Sequence, residues 1–212
     1  MKGINYYKFW RRISSYAAFR ARKGIFNLFM ELIKPDENAA VLDVGVTGDI
    51  VNKGDNYFEK LYPWKEKITG AGVEDAYFLE KEYPGFKFVK TDAKNLPFSD
   101  NSFDIVFSSA TAEHVGSREN QKKFVSEILR VGGKIFITTP NRHFPVEVHT
   151  GLPFFHFLPR TLYRKILKTI GLEFFSMEEN LNLLSKKEFL SLFPKDSVRV
   201  IKKSGILVAV RK

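Results

Sequence analysis

At 212 residues, with 44% apolar and 27% charged side chains, the chain is long enough for one domain with a substantial core. It has no cysteine, which excludes disulfides, thiolate metal centres and a cysteine nucleophile, and no apolar run of the roughly 18 residues that a membrane-spanning helix needs. The net charge of +10 favours anionic partners: acidic or phosphorylated small molecules, an anionic membrane surface, or nucleic acid. Much of the excess lies at Arg11, Arg12, Arg20, Arg22 and Lys23, and again at Arg199, Lys202, Lys203, Arg211 and Lys212.

Residues 5–33 read as helical. Trp10, Ile13 and Ala17 lie on one stripe, and Phe26, Phe29, Met30 and Ile33 form another at helical spacing. Pro35 ends the segment. Aromatics beside arginines suit either of two roles, packing over a sheet or lying along a membrane interface. The N-terminus has no uninterrupted apolar core and does not read as a secretory signal. A cytoplasmic location, with peripheral contact at the inner membrane face through residues 5–33, is the expectation.

A buried strand is predicted at 40–44. It ends in the turn Asp43-Val44-Gly45-Val46-Thr47-Gly48-Asp49, which brings backbone close to a ligand at the carboxyl edge of an open α/β sheet. A long polar connection over 49–64 has a helix starting around Asp55–Glu59. The second strand is placed at 67–73, ahead of Glu74 and Asp75, and the third at Phe86–Val89, followed by Thr91-Asp92-Ala93. The run Leu96-Pro97-Phe98 leads into a fourth strand at 103–108. Ser117 caps a helix with Phe124, Val125, Ile128 and Leu129 on its core face, terminated at Gly132-Gly133. A fifth strand covers 134–138. Pro159 opens a helix through Leu167, Ser185 with Glu188 forms a capping box, and 198–201 with 206–210 flank a hairpin turn. Alternating strands and helices that end in a hairpin predict a mostly parallel sheet with one antiparallel strand.

The series Asp43-x-Gly45, Glu74, Asp92, Leu96-Pro97-Phe98 and Phe103-Asp104-Ile105-Val106 resembles the class I S-adenosylmethionine (SAM) dependent methyltransferases. That resemblance implies a Rossmann-like, doubly wound, seven-stranded sheet, SAM as cofactor, and methyl transfer to an oxygen or nitrogen of a small-molecule, glycan or lipid-linked acceptor. It also implies a layout: a helical cap over 1–34, a SAM-binding core over 35–145, a substrate side over 146–195 and a C-terminal hairpin over 196–212. The family pattern has further glycines after the first; here Thr47 and Asp49 stand at those positions, with Gly48 between. By the resemblance, Asp43, Gly45, Val46, Thr47 and Gly48 face the methionyl part. Glu74, beside Asp75, accepts from the ribose, because a carboxylate has two acceptor oxygens. Asp92 and Ala93 meet the adenine, Leu96 walls it, and Ser109 lies at the end of the fourth strand.

His114 follows that strand and is the candidate general base, having a pKa near neutrality. Asn141, Arg142, His143 and His149 follow the fifth strand as candidate acceptor-binding residues, Arg142 suiting a phosphate or carboxylate. Glu147, His143 and His149 fit no strong metal template, and no metal is expected. Three other readings compete. A nicotinamide oxidoreductase would carry GxGxxG, absent here. A nucleic-acid methyltransferase suits the charge, but the chain has no Asn/Asp-Pro-Pro-Tyr/Phe signature. A degenerate domain would serve only as a partner- or membrane-binding module. The chain is expected to be a monomer or homodimer.

Overall fold

The computed structural model describes residues 19–48 and 55–212. Its centre is a seven-stranded sheet of β1 (Val41–Val44), β2 (Ile68–Gly72), β3 (Lys87–Lys90), β4 (Phe103–Ser109), β5 (Gly132–Pro140), β6 (Arg199–Lys203) and β7 (Ile206–Arg211), in the order β3-β2-β1-β4-β5-β7-β6. Only β7 runs against its neighbours. The chain winds outward from β1 through β2 to β3, then returns to the other side of β1 as β4. That reversal opens a crevice at the carboxyl ends of β1 and β4, where open α/β sheets hold ligands.

Both sheet faces are covered, so β1 is buried at every position. One face is closed by helix α1, which is described over 19–33. Its Ile25, Phe26, Phe29 and Ile33 are buried. The Phe29 ring stands edge-on to Phe107 of β4 at 5.4 Å and to Phe136 of β5 at 5.5 Å. The same ring meets Phe58 of helix α2 (Tyr57–Leu61) at 5.2 Å. The Phe26–Ile33 stripe is therefore spent on the sheet, as one of its two expected roles required. Trp10, Ile13 and Ala17 lie outside the described residues. Among those described, no helix is long and apolar enough to cross a membrane.

A short helix, α3 (Phe78–Glu82), links β2 to β3. The opposite face is closed by α4 (Arg118–Val131), whose Phe124, Val125, Ile128 and Val131 pack with Leu42, Val106, Ile135 and Ile137. Ser117 caps it, accepting from the Asn120 amide. Leu129, expected on the core face, is only partly buried, and Val131 takes the inner position. Gly132 does not form a left-handed cap. It is already extended (φ −117°) and opens β5 two residues earlier than expected; glycine suits the position because a Cβ there would lie 2.4 Å from Val106 Cγ2. The β6–β7 turn places Ser204 (φ 49°) and Gly205 (φ 81°) in the left-handed region, the two-residue geometry that suits a twisted hairpin.

Beyond β5 come α5 (Arg160–Thr169), α6 (Glu173–Ser176) and α7 (Lys186–Leu190). The expected capping box on α7 is complete: Ser185 Oγ accepts from the Glu188 amide at 3.3 Å and the Glu188 carboxylate accepts from the Ser185 amide at 2.8 Å. Burial works against this carboxylate's charge, but Ser185 and the Arg160 guanidinium 2.6 Å away hold its pKa down at about 2. A depressed carboxylate stabilises the fold above its ordinary value of 4.5 and loses that contribution as pH falls toward 2. Partial exposure screens the pair, so we expect Glu188→Gln to cost about 1 kcal/mol at pH 7. The gap between wild type and variant in urea unfolding should close as pH falls below 4.5; a gap that does not change with pH would contradict this.

Candidate active site

A cavity of about 430 Å³ lies at the carboxyl ends of β1, β2 and β4, within the range of small-molecule sites. Asp43, Gly45, Val46, Thr47, Glu74, Asp92, Ala93, Ser109, His114 and His149 all line it.

The glycine turn explains the cavity's floor. Gly45 has φ +109°, and a Cβ built on it would lie 2.0 Å from Thr111 Oγ1. The amides of Gly45 and Val46 both donate to Ala71 O of β2, at 2.8 and 3.1 Å. Thr47, standing where the pattern has a glycine, has its amide and carbonyl clamped by the Asn56 side chain at 3.1 and 2.8 Å. Its hydroxyl donates to Glu74 Oε2 at 2.8 Å, and the Gly48 amide donates to the same oxygen at 2.9 Å. Glu74 is thus tied to the turn as well as placed on the cavity wall.

The position where the family carries its acidic residue is Gly72. A Cβ there would lie 2.1 Å from Val46 O, so the turn's own backbone excludes any side chain. Glu74, two residues on, puts its carboxylate on the cavity wall.

Asp92 accepts from the Lys94 amide at 2.9 Å and pairs with Lys94 Nζ at 2.9 Å. Burial raises its pKa, but the Lys94 amide and ammonium outweigh that and hold it below the usual value. Ser109 Oγ accepts from the Tyr57 hydroxyl at 2.9 Å and from Thr138 Oγ1 at 3.1 Å.

Three residues expected around the cofactor do not line the cavity. Leu96 is buried under α4, its amide donating to Glu127 Oε2 at 2.7 Å, while Arg130 grips the Leu96 and Phe98 carbonyls. Gly48 and Asp75 pack on each other behind the turn, and Asp75 caps the Tyr77 amide at 3.2 Å.

Of the four residues expected for the acceptor, the structure brings only His149 to the cavity. The Arg142 guanidinium donates to the carbonyls of His156 and Leu158, at 3.2 and 3.0 Å, and so holds the loop. The Asn141 amide donates to Gly205 O at 2.9 Å and its side chain accepts from the His143 amide at 3.1 Å. His143 itself is exposed. A loop's position along the chain placed these residues near the carboxyl edge, but its hydrogen bonds turn the Asn141 and Arg142 side chains to other work and His143 lies on the surface.

Sequence reasoning missed Glu59, Tyr57 and Glu113. Glu59 lines the cavity beside Asp43. It is fully buried, and neither carboxylate oxygen has a hydrogen-bond partner among the described residues. Burial raises the pKa of both acids, and for Asp43 the neighbouring Glu59 charge adds to it. The one sequence signal was an acid two residues after Tyr57 in an otherwise apolar turn, Tyr57-Phe58-Glu59.

Near the outer end of the cavity, His114 Nε2 and His149 Nε2 face each other at 3.1 Å. His114 Nδ1 bonds to Asn180 O at 2.6 Å and His149 Nδ1 to Glu147 at 2.7 Å. Glu147 is buried and also accepts from the amides of His149 and Thr150, at 3.0 and 2.7 Å. Burial opposes its charge, but His149 and these donors bring its pKa to about 2. Burial likewise opposes charge on His149, while Glu147 and Glu113 raise its pKa. Glu147 is thus a partner that orients His149.

The donor set fits SAM. That molecule is cationic at its sulfonium and amino groups, and the wall offers Glu59 with two unpartnered oxygens and Asp43 beside it. Asp43 and Glu59 would hold the cationic methionyl part, and Glu74 and Asp92 the ribose and adenine.

Residues 60–137 match the family described as "Methyltransferase domain". Over 121 residues the chain is 27% identical to a ubiquinone/menaquinone biosynthesis C-methyltransferase of Ectopseudomonas mendocina, covering 53% of this chain and 45% of that one. It is 27% identical over 105 residues to phosphoethanolamine N-methyltransferase 2 of Caenorhabditis elegans, covering 50% of this chain and 24% of that one. The match therefore spans less than half the length of either relative. Among solved structures, the YcgJ protein of Bacillus subtilis superposes with a TM-score of 0.57 at 17% identity, over 84% of this chain and 70% of that one. Residues 60–137 thus resemble a methyltransferase domain, and the chain shares its fold with the solved neighbour.

Proposed function

We propose that this chain transfers a methyl group from SAM to an oxygen or nitrogen of a small-molecule acceptor that enters past His114 and His149. The observation that carries the reading is the buried carboxylate pair Asp43 and Glu59 in a cavity whose wall also presents Glu74 and Asp92. Such a set calls for a cationic ligand with hydroxyl and amino donors. When bound, SAM supplies an activated sulfonium methyl; the chain's own part is alignment and exclusion of water. The matched relatives' names carry carbon and nitrogen methylation. An acceptor oxygen or nitrogen is favoured here because a pair of imidazoles stands at the outer end of the cavity, and such an atom arrives with a proton to lose.

The test joins binding to turnover. Asp92→Ala should weaken SAM binding about tenfold, the scale of one charge-assisted hydrogen bond. His114→Ala should leave SAM affinity within about twofold while lowering the rate of S-adenosylhomocysteine release with an acceptor by about 100-fold, the size of a lost proton-transfer group. Equal SAM affinity in wild type and Asp92→Ala would remove Asp92 from the site.

A further inference from the structure

The His114–His149 contact is chemically incomplete. A ring nitrogen facing a carbonyl must donate, so His114 Nδ1 carries a hydrogen toward Asn180 O. The ionised Glu147 likewise fixes the hydrogen on His149 Nδ1. With both rings neutral, both Nε2 atoms are lone-pair acceptors, and they face each other at 3.1 Å. Glu113 Oε1 completes the cluster at 3.9 Å from His114 Nε2 and 3.8 Å from His149 Nε2. Glu113 is fully buried and this oxygen has no hydrogen-bond partner among the described residues, whereas its other oxygen accepts from Thr139 Oγ1 at 2.9 Å.

Three electron-pair donors converge. We propose that Glu113, His114 and His149 form a binding site for one divalent transition-metal ion of the zinc type.

The geometry supports this in three ways. The three separations define a point about 2.1 Å from every donor atom, which is the length of zinc–imidazole and zinc–carboxylate bonds. Two imidazoles and a carboxylate suit zinc or its neighbours rather than magnesium or calcium, which favour oxygen alone. Each ligand also has its orienting partner: Glu147 and Asn180 O on the two Nδ1 atoms, Thr139 on the carboxylate. His114 and His149 both line the cavity, so the remaining coordination position faces it.

Metal binding rests on these side chains alone. Its consequence for turnover rests on the methyl-transfer reading: an acceptor hydroxyl held by the cation would become more acidic and would release its proton to solvent water, with His114 holding the metal instead of receiving that proton.

The test is calorimetric titration of zinc chloride into the metal-free full chain, with no SAM present. We expect one equivalent bound at micromolar Kd or tighter. Glu113→Gln and His149→Ala should each weaken binding at least tenfold, while the exposed His143→Ala should not change it. X-ray absorption of the zinc-loaded wild type needs no variant to fold; two imidazoles with oxygen at about 2.0–2.1 Å are expected. Overturning results are no zinc binding, binding that survives both ligand variants, or a zinc environment without two imidazoles. In the first case the two rings share a proton instead. SAM binding is measured separately, so failure here leaves the methyltransferase reading standing.

Discussion

Gly45→Val is expected to reduce SAM affinity at least 100-fold and to lower the melting temperature as well. Two independent effects produce this. At φ +109° a β-branched residue is strained. Even a single Cβ would lie 2.0 Å from Thr111 Oγ1 and 3.1 Å from Thr111 Cγ2, so the turn must move. Its amides are fixed to Ala71 O, and the next residue is clamped by Asn56. Movement therefore spreads from the Gly45 backbone to the Thr47–Glu74 contact on the cavity wall. Gly45→Ala should show a milder form of the same defect. Adding Thr111→Ala should recover part of its stability, because the two sites are in contact and their effects do not add. Calorimetry on variants first shown to be folded by circular dichroism decides it. Wild-type SAM affinity in a folded Gly45→Val would detach the turn from the ligand.

Glu59→Gln should separate stability from binding. A fully buried carboxylate with no hydrogen-bond partner among the described residues, beside Asp43, destabilises the folded chain at neutral pH. The sign follows from the raised pKa. The folded state prefers the protonated form, so stability is greatest below the ordinary value of 4.5 and falls as pH rises through the folded pKa. A neutral amide removes the charge and offers a donor to Asp43. We expect a gain of about 1–2 kcal/mol at pH 7, about 3–6 °C in Tm, and this advantage should shrink as pH falls toward 4.5 and the wild-type carboxyl becomes protonated. SAM affinity should fall at least tenfold, since a counter-charge for the cationic ligand is gone. A variant that is less stable and binds SAM as well as wild type would make Glu59 a structural acid only.

These two residues also show what the sequence could and could not say. Gly45 was legible because a glycine after a buried strand needs few assumptions: the strand is a short apolar run, the turn is tight, and both signals are local. The helix caps and the hairpin were legible for the same reason, since Ser117, Ser185 and Ser204-Gly205 act through neighbours in the chain. Glu59 was not. Its burial beside Asp43 of β1 comes from tertiary packing, and no local pattern distinguishes a buried acid from an exposed one in a short helix. Glu113 was passed over because its partners, Thr139 and His149, are 26 and 36 residues away. The acceptor-side expectations suffered most, because a loop's place at the sheet edge does not fix where its side chains point: His149 turns inward on Glu147 while Arg142 turns away to two carbonyls.

We propose that the crevice between β1 and β4 takes a cationic sulfonium nucleoside. The most direct measurement is calorimetric titration of SAM, and in parallel of NAD⁺, into the purified full chain. One equivalent of SAM is expected to bind in the micromolar range, with no heat from NAD⁺. No SAM binding at millimolar concentration, or a preference for NAD⁺, would contradict it.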